Sequence, residues 1–240
     1  MSRNFLRDFF VAYEYVFGYN PGEMKLESDG ILIGMRPIGE RDAVAMVFSR
    51  DFGKMCGVMR AAQIAKKNRP LVGQVGAVSW NARIDSQLGT FHWESSENLS
   101  VRLLANMRAL ACMNSAFALI DALLPEREPY TTLYDATLSL LRSISCDNVI
   151  EQYLNWEICL LRELGYALDL SHCSGCGGVN NLHYLSPKTG RAVCDDCARP
   201  YINKVYRLPL SLSITGRFVE NICLENGINV PAARLYLMGL

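Results

Sequence analysis

The chain has 240 residues, with 24 basic and 24 acidic side chains and three histidines, so it is neutral overall. Half of its residues are hydrophobic and a fifth are charged, which excludes a disordered chain and suits one large or two small domains with a real core. Neutrality hides segregation: residues 50–69 carry Arg50, Lys54, Arg60, Lys66, Lys67 and Arg69 against Asp51 alone, net +5, while residues 94–170 hold 5 basic and 11 acidic side chains, net −6.

The first segment, MSRNFLRDFFVAYEYVF, is broken by Arg3, Arg7, Asp8 and Glu14 and lacks the apolar run of a signal peptide. From Gly30 to Trp93 the pattern is that of short strands: ILIGM (31–35), AVAMVFS (43–49), MCGVMR (55–60), VSWNARI (78–84) and SQLGTFHW (86–93). Five strands in this space fit a small barrel such as the OB-fold. Trp80 lies in clean strand alternation and is expected in the core.

Between the third and fourth strands lies RAAQIAKKNRP, a loop with three cations in four positions, Lys66, Lys67 and Arg69. Such a run reads either as a solvated loop or as a grip on a polyanion.

From Leu99 the period becomes helical. The most apolar run, residues 103–124, contains Asn106, Arg108, Asn114 and Asp121, which makes it a buried helix stopping at Pro125 rather than a membrane span. A second helix is expected over 131–145, and a third over 149–165, ending at Gly165. Helical pattern resumes from about 210 to the end. A cytoplasmic protein without a membrane span is expected.

CSGC (173–176) and CDDC (194–197) form two C-x2-C pairs 17 residues apart, the spacing of a four-cysteine zinc site. Between them LHYLS, PKTG and RAV read as a hairpin, so the insert resembles a zinc ribbon. Disulfides, a redox dithiol and chance are the alternatives, the first disfavoured in a cytoplasmic chain and the last by two correctly spaced pairs. With Cys173, Cys176, Cys194 and Cys197 all as thiolate ligands, no coordination position stays open for water, and the single zinc is structural. Cys56, Cys112, Cys146, Cys159 and Cys223 occur singly in apolar patterns and are expected to be buried.

No phosphate-binding G-x-x-x-x-G-K-[ST] loop, H-E-x-x-H or G-x-S-x-G motif occurs, and His92, His172 and His183 have no catalytic partner fixed by the sequence. No enzyme activity is expected.

GILIGMRPIGERDAVAMVFSRDFGKMCGVMRAA resembles the N-terminal barrel of the RecO family of DNA recombination and repair mediators, with its R-x-x-G-E-x-D/S link, its F-G-K turn and its arginine-bearing segment. The likeness continues through LPEREPYTTLYDATLSLL (124–141), WEICLLRELGYALDLSHCSGCG (156–177) and LSPKTGRAVC (185–194), and covers about residues 28–238. It implies an α+β multidomain protein: a five-stranded OB-fold barrel followed by an α-helical domain with a zinc-ribbon-like insert. The corresponding segments are an N-terminal extension (1–23, Met24 being a candidate start), the DNA-binding barrel (24–98), the helical domain (99–172), the four-cysteine insert (173–200) and the C-terminal part of the helical domain (201–240).

The resemblance further implies ATP-independent binding of single- and double-stranded DNA and annealing of complementary strands. With RecR, it implies loading of RecA onto DNA coated with single-strand-binding protein, whose C-terminal tail docks on the helical domain. Basic side chains there are Arg102, Arg108, Arg127, Arg142 and Arg162. Lys54, Arg60, Lys66, Lys67 and Arg69 are expected on phosphates, with Arg36 and Arg41 as weaker candidates beside Glu40 and Asp42, and with Phe52 or Trp93 stacking on bases. The chain departs from the family after Arg60, where Ala61, Ala62 and Gln63 replace glycine and arginine and weaken the patch. Two readings compete: a zinc-stabilised protein-interaction scaffold, and an RNA-binding or transcription-associated factor without annealing activity.

Overall fold

The computed structural model describes residues 24–64, 69–82, 88–103, 106–143 and 148–240, the side chain of Arg102 excepted. They form two compact units, one ending at Asn98 but including Glu126–Pro129, the other made of Leu99–Pro125 and Tyr130–Leu240.

In the first unit, β1 (Met24–Ile38), β2 (Asp42–Ser49), β3 (Gly53–Met59), β4 (Gln74–Ala82) and β5 (Gly89–Asn98) close into a barrel in the order β1-β2-β3-β5-β4. β1 serves two walls. Its first half pairs with β4, from Met24↔Ala82 to Ile31↔Val75, and its second half with β2, ending at Ile38↔Asp42. A register irregularity between Leu32 and Gly34 provides the bend. Alternate residues point inward, so Leu32, Ala43, Ala45, Val47, Met55, Met59, Val78, Trp80 and Phe91 fill the interior.

Trp80 is buried as its alternation predicts, and its indole N–H donates to the Cys56 carbonyl at 3.1 Å. The barrel closes where β3 and β5 run parallel, with Gly57 opposite Gly89. A Cβ on Gly89 would lie 2.1 Å from the Trp80 ring, so a side chain there cannot coexist with the tryptophan.

Residues Glu126–Pro129 belong to this unit because they dock on the start of β3. The Arg127 N–H donates to the Lys54 carbonyl at 2.9 Å, and the Arg127 guanidinium lies 4.4 Å from the Trp80 ring centroid. Gly53 has φ +67°, and a Cβ there would fall 1.7 Å from the Glu128 carbonyl oxygen. The glycine of the F-G-K turn is thus required twice, by its dihedral and by the backbone that covers it.

The second unit begins with α1 (Ser100–Leu103) and α2 (Met107–Leu123). The run expected as one helix over 103–124 is instead restarted at Asn106, which has extended backbone and accepts the Ala109 N–H on its side-chain oxygen at 3.1 Å. Leu124, extended before Pro125, ends α2.

α3 (Thr131–Ser143) and α4 (Val149–Glu163) follow; the last residues of the expected second helix lie outside the described residues. α4 ends as predicted at Gly165, φ +87°, with the paired bonds Tyr166 N–H to Leu161 carbonyl and Gly165 N–H to Arg162 carbonyl. The C-terminal helical pattern splits into α6 (Leu212–Glu225) and α7 (Ala232–Met238), interrupted by Gly227 at φ +67° and Pro231; the short α5 (Asp195–Ala198) lies in the cysteine insert.

A polar network lies at the centre of the unit. Arg234 of α7 and Glu157 of α4 are fully buried and paired through two bonds of 2.6 and 3.0 Å. Tyr153 donates to Glu157 at 3.0 Å and meets Ser115 of α2 at 2.7 Å, and Arg234 also donates to the Leu212 carbonyl at 2.8 Å. Burial, and then the Glu157 charge, push the Tyr153 phenol well above its ordinary value, so the phenol holds its proton at neutral pH.

Of the single cysteines, Cys112 and Cys223 are buried as expected, and burial pushes the Cys112 thiol up to about 12. Cys56 and Cys159 are only half-buried, and Cys146 lies outside the described residues. Among the described residues no helix is long and apolar enough to cross a membrane.

Candidate nucleic-acid interface and metal centre

One end of the barrel is made by the β1–β2 turn and the segment that leaves β3. The two are stitched together. Asp42 accepts the Arg60 guanidinium on one oxygen at 2.8 Å and the Ala61 N–H on the other at 2.8 Å. The Gln63 N–H donates to the Arg41 carbonyl at 3.0 Å, and its side-chain amide donates to the carbonyls of Gly39 and Asp42.

Ala62 is buried against the barrel core and Ala61 adopts φ +54°. The AAQ stretch, expected only to dilute the basic patch, is also the fastener that holds the patch in shape. A short side chain at 62 and an amide at 63 are its sole signals in the sequence, and both are equally at home in a solvated loop.

This stitching joins the segments of Arg41 and Arg60, and Arg36 follows on β1 opposite Val44; all three are exposed, as are Ile38 and Ile64. One of the neighbouring acids also reaches Arg60. Asp42 hydrogen-bonds Arg60, whose side chain remains 71% exposed, and is also stabilised by the charge of Arg41. The Ala61 N–H and then the Arg60 guanidinium hold the Asp42 carboxyl below its ordinary value of 3.8, so it stays ionised at neutral pH.

Arg69 is exposed where the chain returns toward β4, just before buried Pro70. Lys66 and Lys67 lie outside the described residues. Lys54 is set apart: it stands at the far end of β3 from Arg60, about 20 Å along the strand at ~3.3 Å per residue, half-buried where Arg127 docks. The two aromatic candidates, Phe52 and Trp93, are partly buried against the barrel core, and the Trp93 indole reaches the Gln74 side-chain oxygen at 3.4 Å.

Of the basic side chains of the acidic segment, Arg108, Arg142 and Arg162 are exposed in the second unit, and Arg108 donates to the Leu240 carbonyl at 3.4 Å. Arg127 belongs to the barrel unit over Trp80, which removes it from the helical surface.

The four insert cysteines converge. The sulfurs of Cys173, Cys176, Cys194 and Cys197 all lie within 4.8 Å of one another, with Cys176 and Cys194 at 3.7 Å. An ion holding four thiolates tetrahedrally at about 2.3 Å needs sulfurs roughly 3.8 Å apart, so the cage fits such an ion.

The Cys173 sulfur accepts the N–H groups of Cys194 and Gly175, each at 3.3 Å. Backbone N–H donation, that of Cys194 first, brings its thiol down to about 6, favouring the thiolate a metal requires. Cys197, hydrogen-bonded first to Cys194, is held up at about 12 by the sulfurs around it.

The supporting frame is a three-stranded sheet, β7-β6-β8, of β6 (Tyr184–Leu185), β7 (Ala192–Val193) and β8 (Tyr206–Arg207). The hairpin is the one expected; the third strand comes from beyond the second cysteine pair. The histidines sit on the surface against acids, His92 beside Glu94, His172 beside Asp169 and His183 beside Asp195.

Comparison with known proteins places these features in a family context. Residues 24–97 match the family model described as recombination protein O N terminal, and residues 104–228 match recombination protein O C terminal. The DNA repair protein RecO of Rhodospirillum centenum is 36% identical over 231 residues, covering 88% of this chain and 92% of its own. That of Cereibacter sphaeroides is 35% identical over 237 residues, covering 90% and 98%, and that of Jannaschia is 36% identical over 196 residues, covering 80% and 79%.

Proposed function

From the premise that this chain belongs to the recombination protein O (RecO) family, we propose that it is a DNA-binding mediator of recombinational repair that anneals complementary strands without ATP. The observation that carries this reading is the barrel end that exposes Arg36, Arg41 and Arg60, followed in the sequence by Lys66, Lys67 and Arg69. Annealing needs no covalent step. It needs the mutual repulsion of two phosphate chains to be lowered, and a cationic surface does this by displacing condensed counterions.

The barrel, residues 24–98, is then the DNA-binding domain, residues 99–172 and 201–240 the helical domain, and residues 173–200 the metal-bearing insert. Bases are held with little sequence preference, because phosphate contacts position a strand and carry no code. Arg60 contributes a partly neutralised charge, since Asp42 shares it. Lys54, at the other end of β3, contributes less than the loop cations.

The insert takes one zinc ion on Cys173, Cys176, Cys194 and Cys197. When bound, the ion cross-links two turns of a segment whose own core is small. Four thiolates leave no position for substrate, so the ion shapes the protein and takes no part in a reaction.

The acidic helical segment repels DNA and favours its approach on the cationic faces. The protein works with RecR to load RecA onto DNA coated with single-strand-binding protein, whose tail docks on the helical domain, and it acts in the cytoplasm at the nucleoid.

Annealing of complementary oligonucleotides coated with single-strand-binding protein, with and without RecR, tests the reading. Faster pairing by this protein without nucleotide is expected, and no acceleration at any salt concentration would refute it. Matched DNA and RNA strands in competition separate this role from that of an RNA-binding factor, because only the 2′-hydroxyl differs.

A further inference from the structure

A second cationic surface lies in the other unit. Residues 199–207, RPYINKVYR, hold Arg199, Lys204 and Arg207 and no acid. Their first six residues form a 3-10 helix, Arg199–Lys204, in which no residue is buried. Tyr201 stands at its kink, 59% exposed, and Ile202 beside it is 47% exposed. β8 follows at once and carries Arg207, exposed, on the outer strand of the ribbon sheet.

The acids of this region have partners already. Asp195 is paired with His183 at 2.9 Å and Asp196 with Arg199 at 3.1 Å. Asp169 binds Ser171 and faces His172 at 3.6 Å. Lys204 and Arg207 have no such partner among the described residues. A large exposed aromatic, followed by Lys204 one turn later and by Arg207 on β8, neither with a counterion among the described residues, has the composition of a stacking platform for a single strand: a π-face for a base and charges for the phosphates that flank it.

We propose that the edge of the cysteine ribbon, with Tyr201 as the stacking face and Lys204 and Arg207 on phosphates, is a second binding site for single-stranded nucleic acid. The site rests on the DNA-binding reading given above and extends it. A protein that pairs two strands gains from holding each at its own cationic surface, and the ribbon supplies one that the barrel does not.

The test uses the full chain with its metal, a fluorescent oligothymidylate, and affinities measured from about 50 to 200 mM salt. Replacing Lys204 and Arg207 together by alanine is expected to reduce the steepness of log affinity against log salt by about 1.4, ~0.7 for each cation removed from a phosphate. Tyr201→Ala is expected to weaken binding about tenfold, the value of a single stack, and Tyr201→Phe to restore it. Metal content per chain verifies that each variant keeps the ribbon.

Independently of any substitution, a strand carrying 5-iodouracil is expected to photo-crosslink the parent protein at the peptide containing Tyr201. Parental slope in the double variant, with cross-links confined to the barrel, would overturn the proposal, and the surface would then serve a protein partner. In that outcome a loss of binding in an Arg36→Ala, Arg41→Ala barrel variant leaves the DNA-binding reading standing. Absence of any salt-dependent binding by the parent overturns both.

Discussion

At the end of the barrel a single carboxylate, Asp42, holds Arg60 and, in the proposed function, competes with a phosphate for it. Asp42→Asn keeps an oxygen for the Ala61 N–H but removes the charge, so affinity for single strands is expected to rise by a few-fold, roughly the value of an exposed charge contact; an equal or lower affinity would contradict this. The same carboxylate has a pH signature. Its folded value lies below the ordinary 3.8, so its stabilising contribution is complete above that pH and is lost as the pH falls through the lower folded value. Denaturation of parent and Asp42→Asn should therefore differ more at pH 7 than at pH 3.

Gly53→Ala is expected to destabilise the barrel unit by about 2 kcal/mol or more, from a strained positive φ and a clash with the Glu128 carbonyl. Trp80 fluorescence during denaturation would report it. Residue by residue, the sequence is partly legible. The F-G-K turn announces a special glycine, but the contact of Gly53 with Glu128 joins distant parts of the chain, and no local pattern encodes such an approach. The role of Gln63 is hidden for a related reason, because its partners are carbonyls of another loop.

Among the elements, the cysteine ribbon depends most on one atom. With Cys173→Ser the cage loses a sulfur that also accepts two backbone N–H groups, and the expected result is loss of bound zinc and of protection from proteolysis across residues 173–207. Elemental analysis of parent protein should give one zinc per chain, and a metal-free protein that resists proteolysis equally would contradict the structural role.

The barrel strands and the Gly165 helix end are readable because alternation and a left-handed glycine are local signals. The ribbon's third strand and the break at Asn106 are not. β8 is two residues long and defined only by its pairing with β6, and an asparagine in an apolar run reads equally as an interior residue or a cap.

For the molecule as a whole, charge is segregated along the chain and one buried pair organises the helical unit. Arg234 and Glu157 join α7 to α4 across 77 residues with no solvent access. Arg234→Ala strands a carboxylate in the core and is expected to cost about 3–5 kcal/mol in chemical denaturation, whereas an apolar pair of similar volume, Glu157→Leu with Arg234→Met, recovers most of it. Nothing in the sequence announces this pair, since each residue sits singly in an amphipathic pattern.

The segregation of charge, by contrast, is legible by counting, and it points directly at the cationic loop between β3 and β4. Whether that loop grips the phosphates of a single strand is decided by the affinity for a single-stranded oligonucleotide as a function of salt, in the parent protein and in the Lys66→Ala, Lys67→Ala variant. A loop that grips gives the variant a slope shallower by about 1.4, ~0.7 for each cation removed from a phosphate; a slope equal to the parent's would contradict the grip.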